Sequence, residues 1–336
     1  MTRPRTYSAR HLSKMFNTIM ESAWYTNNGR HVRQLELNLQ GRLRVPYFVA
    51  LSSGTAALEA AVSMLFTEGT VIAIPSFTFV AVASAVVRGG CKPLFVDIDL
   101  NTWTMSYDAF KEVKHKVGGV IVANTFGISP DRRFTKVNVP FVYDNAHGYG
   151  VHDGIFGDVD VYSFHATKAI GGAEGGGVAC ATSEQQVYLS RWRDFGHDGT
   201  GGTSCIGTNA KMSEFHAVLI SGSMMNEGFE LSSRYRLLDR YKGKLDGSVR
   251  FQVGQPRNCV FLVSNRDSLA SELTVHGYDN RPYFYPIHKM HPYWTPAELP
   301  VTEYVSDRAI AVPLWGGMGN DVVDGVCEVV LGGNYG

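Results

Sequence analysis

Ser163-Phe-His-Ala-Thr-Lys168, followed shortly by Gly171-Gly-Ala-Glu-Gly-Gly-Gly177, is the stretch on which the reading of this chain turns. The apolar run Asp160–Ser163 reads as a strand, and a lysine comes almost directly after it. Between that lysine and Gly177 the only charge is Glu174. Desolvation disfavours an ammonium ion, so a lysine in such surroundings becomes a neutral, nucleophilic amine suited to Schiff-base chemistry. The plainer alternative is a surface lysine on a loop. The glycine run lacks a GK[ST] ending and a following helix, so it is no P-loop, and it does not match GxGxxG after a first strand. It reads as backbone kept close to a ligand or to a second subunit.

Upstream, Phe141-Val-Tyr143 is a short apolar run that ends in Asp144. In open α/β sheets ligands bind at the carboxyl ends of strands, so this carboxylate is placed to meet a cation such as a protonated pyridine nitrogen. An aspartate that merely begins a turn is the competing account. Ser53-Gly54-Thr55 lies between a strand, Phe48–Ser52, and an apolar helix, Ala56–Phe66. A helix start of this kind binds phosphate through its N–H groups and dipole, although Ser and Thr also serve there as ordinary caps. Downstream, Arg281-Pro-Tyr-Phe-Tyr-Pro-Ile-His-Lys-Met-His291 is polar and aromatic. It fits a nucleotide-stacking loop and a partly buried aromatic cluster equally well.

The remaining runs, at Val71–Ile74, Pro93–Val96, Val120–Ala123 and Val178–Ala181, alternate with helical stretches at Val80–Val87 and Glu184–Phe195. Short strands apolar on both sides point to an α/β fold with a mostly parallel sheet covered on both faces. Past about residue 140 little helix separates the strands. Ser8–Trp24 shows helical spacing, with Ser8 as a possible cap, and Phe195–Asn209 is a long Gly- and Thr-rich loop. The expected division is a large domain over residues 1–225 and a small C-terminal α+β domain over residues 226–336.

Composition narrows the class. Of 336 residues, 44% are apolar and 18% charged, against roughly 25% charged in an average soluble protein. Formal net charge is zero, which leaves no electrostatic footprint for nucleic acid or an anionic membrane. The five cysteines are scattered without a CxxC pair, no metal-ligand cluster is visible, and no stretch approaches a membrane span or an apolar leader. A cytoplasmic enzyme is the expectation.

Taken in order, SSGT, PSFTF, DNAHG, SFHATK with GGAEGGG, and GTNAKM resemble the DegT/DnrJ/EryC1/StrS sugar aminotransferase family from about Asn27 to Met212, more loosely to Pro313. The resemblance implies the pyridoxal phosphate (PLP) fold-type I architecture and transfer of an amino group, usually from glutamate, to a nucleotide-linked 3-keto or 4-keto sugar. It makes Lys168 the Schiff-base lysine and Asp144 the partner of the pyridine nitrogen. Phe79 becomes the ring-stacking aromatic, Gly54, Thr55 and Ser163 the phosphate turn, and His147 the neighbour of the ring oxygen. Asn209 reaches the phosphate of a neighbouring subunit, which implies a homodimer with shared sites. Asn27, His165, Arg281 and His288 are the candidate substrate contacts. The family often has Arg where Lys211 stands, and this chain is somewhat short for it. A sugar dehydratase of the same family carries histidine in place of the lysine, so Lys168 argues against that reading. A scaffold that keeps the fold without catalysis is disfavoured by Asp144, Lys168 and Phe79 together.

Overall fold

The structure, a computed structural model, describes residues 8–252, 254, 258–333 and 335. It begins with α1 (Ala9–Ser22) and α2 (Arg30–Leu43), then β1 (Tyr47–Leu51), α3 (Gly54–Leu65), β2 (Val71–Pro75), α4 (Ala81–Arg88) and β3 (Lys92–Val96). There follow α5 (Tyr107–Val113), β4 (Gly119–Ala123), β5 (Phe141–Asp144), β6 (Val159–Ser163), β7 (Gly176–Cys180), α6 (Ser183–Trp192) and α7 (Glu214–Met225). The C-terminal part comprises α8 (Glu227–Lys244), β8 (Arg250–Phe251), β9 (Cys259–Leu262), α9 (Arg266–Val275), β10 (Arg281–Pro282), α10 (Pro300–Ser306), β11 (Ala309–Val312) and α11 (Asn320–Gly332). As the spacing predicts, Ser8 caps α1, its Oγ accepting from His11 N–H at 3.2 Å. None of the described helices is long and apolar enough to cross a membrane.

Seven strands form the main sheet in the order β1-β7-β6-β5-β4-β2-β3. The neighbours from β3 to β6 are parallel, whereas β7 runs antiparallel to both β1 and β6. The fold is therefore the mostly parallel α/β sheet expected, with its irregular part where helices between strands are sparse. Alternation along β1 shows how both faces are covered. Phe48 and Ala50 pack with Val32, Leu35 and Leu39 of α2 and Ala217 of α7. Val49 and Leu51 face α3 and α6 through Ala57, Ala61 and Leu189. Burial on both sides is why these strands are apolar without a polar stripe.

A four-stranded antiparallel sheet, β10-β11-β9-β8, forms the C-terminal unit. Here too the strand period of two sorts the side chains. Cys259, Phe261, Ile310 and Val312 pack under α8, α9 and α11. Val260, Leu262, Ala309 and Ala311 face Phe77, Trp103 and Phe126 of the larger unit. The small sheet is thus pressed between its own helices and an aromatic cluster beneath the parallel sheet's carboxyl edge. The 225/226 division falls at Asn226, the single residue between α7 and α8.

Candidate active site

Five chain segments leave the sheet at one edge. The turn after β1 carries Ser53 to Thr55, and the one after β2 carries Thr78 and Phe79. Asn124 and Thr125 follow β4, Asp144 ends β5, and Ser163 to Lys168 leaves β6. These are the carboxyl ends of parallel strands, where an α/β sheet gathers its ligands. Between them and Arg281, Tyr283 and Phe284 of the small unit lies a cavity of about 390 Å³. Its lining includes Gly54, Thr55, Phe79, Asp144, His147 and Ser163. Lys168, His165 and Arg281 also line it.

Lys168 sits in the connection from β6 to antiparallel β7, held by a turn in which its N–H donates to His165 O at 2.8 Å. Burial lowers its ammonium to about 8; Asp144 opposes that shift and Arg281 adds to it. Asp144 is 5% exposed. Burial raises its carboxyl above the usual carboxylate range, while the Ala146 N–H, donating to Oδ1 at 3.1 Å, and the charge of Lys168 pull it partly back. An amine close to neutral and a buried carboxylate thus share one cavity, the arrangement a Schiff-base lysine and a ring-nitrogen partner require.

At the start of α3, Ser53 Oγ caps by accepting from Ala56 N–H at 3.1 Å, and the first helical bond runs from Ala57 N–H to Ser53 O. The N–H groups of Gly54 and Thr55 precede that bond and belong to the donors a helix leaves for an anion. Only glycine suits the close approach: a Cβ on Gly54 would stand 2.8 Å from Ser163 Cβ. Gly176 is similarly confined, because a Cβ there would collide with the Ser53 backbone. The glycine run therefore keeps β7 against the α3 turn. Phe79 is 53% exposed although it lines the cavity, leaving a large aromatic face open. Free N–H donors for a phosphate, a buried carboxylate and an open aromatic ring line one cavity, so the residues present fit PLP.

His147 lines the cavity with its ring stacked on Phe126 at 5.6 Å, its Nδ1 accepting from Phe126 N–H at 3.4 Å. His165 Nδ1 accepts from Thr167 N–H at 3.3 Å, which leaves the neutral ring's proton on Nε2, 3.7 Å from Glu174. Asn209 is exposed outside the lining, paired with Asp194 in an isolated bridge. The next residue ties this segment to the phosphate turn, Ala210 O accepting from Ser52 N–H at 2.8 Å.

Two expected substrate contacts do not reach the cavity. Asn27 is exposed in the turn after α1 with φ of 63°, a left-handed position that asparagine tolerates. His288 is 2% exposed. Its Nδ1 bonds Ser76 Oγ at 2.8 Å, and its Nε2 lies 3.3 Å from Glu303 Oε1. Its own N–H donates to Ser76 Oγ at 3.1 Å. It works as a clasp that fixes the Ser76–Phe79 turn from behind. Sequence reasoning missed Thr78, Asn124 and Tyr283 as lining residues. Asn124 was within reach, being the polar residue that ends the run Val120–Ala123 as Asp144 ends its own.

Comparison with known proteins agrees with this geometry. The DegT/DnrJ/EryC1/StrS aminotransferase family matches residues 7–331. Protein Rv3402c of Mycobacterium tuberculosis (strain ATCC 25618 / H37Rv) is 30% identical, across 98% of this chain and 88% of that protein. GDP-perosamine synthase of Escherichia coli O157:H7 is 26% identical, across 94% of this chain and 93% of its own. The crystal structure of DesI in the presence of its TDP-sugar product superposes with a TM-score of 0.91 at 27% identity, covering 98% of this chain and 91% of that one. Matched along nearly its whole length, this chain belongs to the DegT/DnrJ/EryC1/StrS aminotransferase family and is a PLP-dependent enzyme.

Proposed function

We propose that this protein moves an amino group from an amino acid, glutamate by family habit, to a 3-keto or 4-keto 6-deoxy sugar carried on a nucleoside diphosphate. The observation that carries the reading is Lys168 and Asp144 in one cavity beside the α3 start. GDP-perosamine synthase and DesI, whose crystal structure was determined in the presence of its TDP-sugar product, are both similar to this chain and support a nucleotide-sugar substrate. Bound PLP supplies the electron sink that lets a proton leave the donor's α-carbon. Asp144, with Oδ1 accepting from Ala146 N–H, would hold a proton on the ring nitrogen. Gly54, Thr55 and Ser163 would hold the cofactor's phosphate, and Phe79 and His147 would lie against its ring. Lys168 Nζ, with its ammonium lowered to about 8 by burial, is the amine that takes the proton and returns it on the other side of the transfer.

The dimer belongs to the same reading. Asn209 stands outside its own cavity and, in a homodimer, completes the partner's. Mixing inactive Lys168→Ala and Asn209→Ala chains then restores about a quarter of the sites, because half of the dimers are mixed and each of those has one intact site. Mixtures that stay inactive refute the shared site. Incubating the enzyme with glutamate and a panel of nucleotide-linked 3-keto and 4-keto sugars, read by mass spectrometry, tests the reaction. A panel with no aminated product overturns it.

A further inference from the structure

Asn209 is exposed, yet the backbone on either side of it is pinned. Thr208 N–H donates to Trp192 O at 2.9 Å, and Thr208 O accepts from Phe195 N–H at 3.1 Å. Ala210 N–H donates to Arg193 O at 3.0 Å, and Ala210 O accepts from Ser52 N–H at 2.8 Å. A polar side chain bracketed so firmly, outside its own cavity, is presented to something beyond the protomer. Ile206, 93% exposed, and Phe195, 49% exposed, supply apolar surface in the same segment, as a subunit interface would. Arg193 ties this bracket to the main sheet. β1 is an edge strand, and on its open side Ala50 is met by side chains. Ala50 N–H donates to Glu36 Oε1 at 2.9 Å, while Arg193 Nη1 donates to Ala50 O and to Glu36 Oε1, each at 2.6 Å. Arg193 is itself buried. The end of β1 is thus joined to the Asn209 segment at two points, Ala50 through Arg193 and Ser52 directly. One attachment is a pivot, whereas two fix a direction, and the phosphate turn at Ser53–Thr55 begins just beyond the second.

We propose that the Arg193–Glu36 pair couples the two cofactor sites of a dimer, carrying the setting of one protomer's phosphate turn to the Asn209 that serves its partner. The inference rests on the shared-site reading and goes beyond it. A phosphate at the Gly54 and Thr55 N–H groups fixes the end of β1, and the links at Ala50 and Ser52 pass that order to the 208–210 segment. The second site then receives an Asn209 already in place, so the second cofactor gives up less freedom when it binds. Linkage makes the effect mutual, and cofactor loading becomes cooperative. Arg193 touches neither cofactor nor substrate in this account; it is a positioning residue.

The test titrates the full-length protein, freed of cofactor, with pyridoxamine phosphate, which carries the phosphate but forms no covalent bond to Lys168. Calorimetry is run at a concentration where gel filtration finds a dimer. In wild type the second molecule should bind about 10-fold tighter than the first, a Hill coefficient of about 1.5. Pyridoxamine, which lacks the phosphate, should bind with a coefficient of about 1. In Glu36→Gln combined with Arg193→Met, an amide can accept from Ala50 N–H and donate to Ala50 O, so the edge of β1 stays satisfied. That double variant should keep its unfolding midpoint within a few degrees and bind the first molecule about as well, with the coefficient down to about 1. Arg193→Lys, which keeps the charge at a shorter reach, should fall between. A wild-type coefficient of about 1, or a double variant as cooperative as wild type, overturns the coupling even where mixed Lys168→Ala and Asn209→Ala chains regain activity. Mixed chains that stay inactive, or a monomer at every concentration, overturn the shared site and this inference with it.

Discussion

Cofactor-free protein treated with a small amine reagent should modify Lys168 with a half-point near pH 8. The magnitude follows from the cavity. Burial takes the amine from 10.5 to about 8, so at pH 7.5 about a quarter of it is neutral, against about a thousandth of an ordinary lysine. That is a roughly 200-fold advantage in reactive form. Weaker basicity also means weaker nucleophilicity, and with a slope of about 0.4–0.5, as for thiols, the net advantage is on the order of 10- to 20-fold. The sign is fixed, since the neutral form reacts and labelling must rise with pH through 8. Reductive methylation from pH 6 to 10, with the Lys168 peptide quantified by mass spectrometry, gives the curve. Neighbouring charges supply two further signs. Asp144→Asn removes the charge that favours the ammonium and should move the half-point down, whereas Arg281→Ala should move it up. A half-point at 10.5, or both variants moving it the same way, would refute the claim that burial sets this amine.

Three further outcomes follow from packing. Gly176→Ala forces a Cβ against the Ser53 backbone and should destabilise the fold by about 1–3 kcal/mol while weakening PLP binding, seen in thermal unfolding and cofactor titration; an unchanged protein would contradict the close approach. His288→Ala strips Ser76 and Glu303 of a buried partner and should cost about 1–3 kcal/mol in denaturant unfolding, with Phe79 less well held. A His288 variant of wild-type stability that has lost only sugar affinity would restore the substrate role. Glu36→Ala leaves Arg193, buried and also bonded to Ala50 O, without its carboxylate and should cost about 3–5 kcal/mol; a loss below 1 kcal/mol would mean that the arginine finds water.

Much of the site is legible in the chain because strand ends carry their own signal. An apolar run stopped by Asp144, another stopped by Ser163 with Lys168 beyond it, and a helix opened at Ser53 are local patterns, and parallel-sheet physics sends all three to one edge. α2 was not anticipated, although Val32, Leu35, Leu39 and Leu43 are its buried face. Between them Arg33, Gln34, Glu36, Asn38, Gln40 and Arg42 dilute the apolar pattern. Asn27 and His288 lie outside the cavity lining, because closeness along the chain does not fix which interior a side chain faces. The chain past residue 226 folds as strands and helices, but nothing local reveals which face of β9 and β11 meets the aromatic cluster.

The chemistry of Lys168 belongs partly to each level. The residue, its apolar strand and its uncharged, glycine-rich sequel are in the sequence, and with the ordered motifs they identify the family and the cofactor and single out Lys168 as the lysine proposed to bond it. Tertiary structure decides what those motifs confront, because charges interact through space and not along the chain. Asp144 and Arg281 are 24 and 113 residues from Lys168, yet both adjust the titration that burial sets. His288 is 7 residues beyond Arg281 and faces a different interior. The small sheet, packed on Phe77, Trp103 and Phe126, turns one of these residues into the cavity and buries the other behind it.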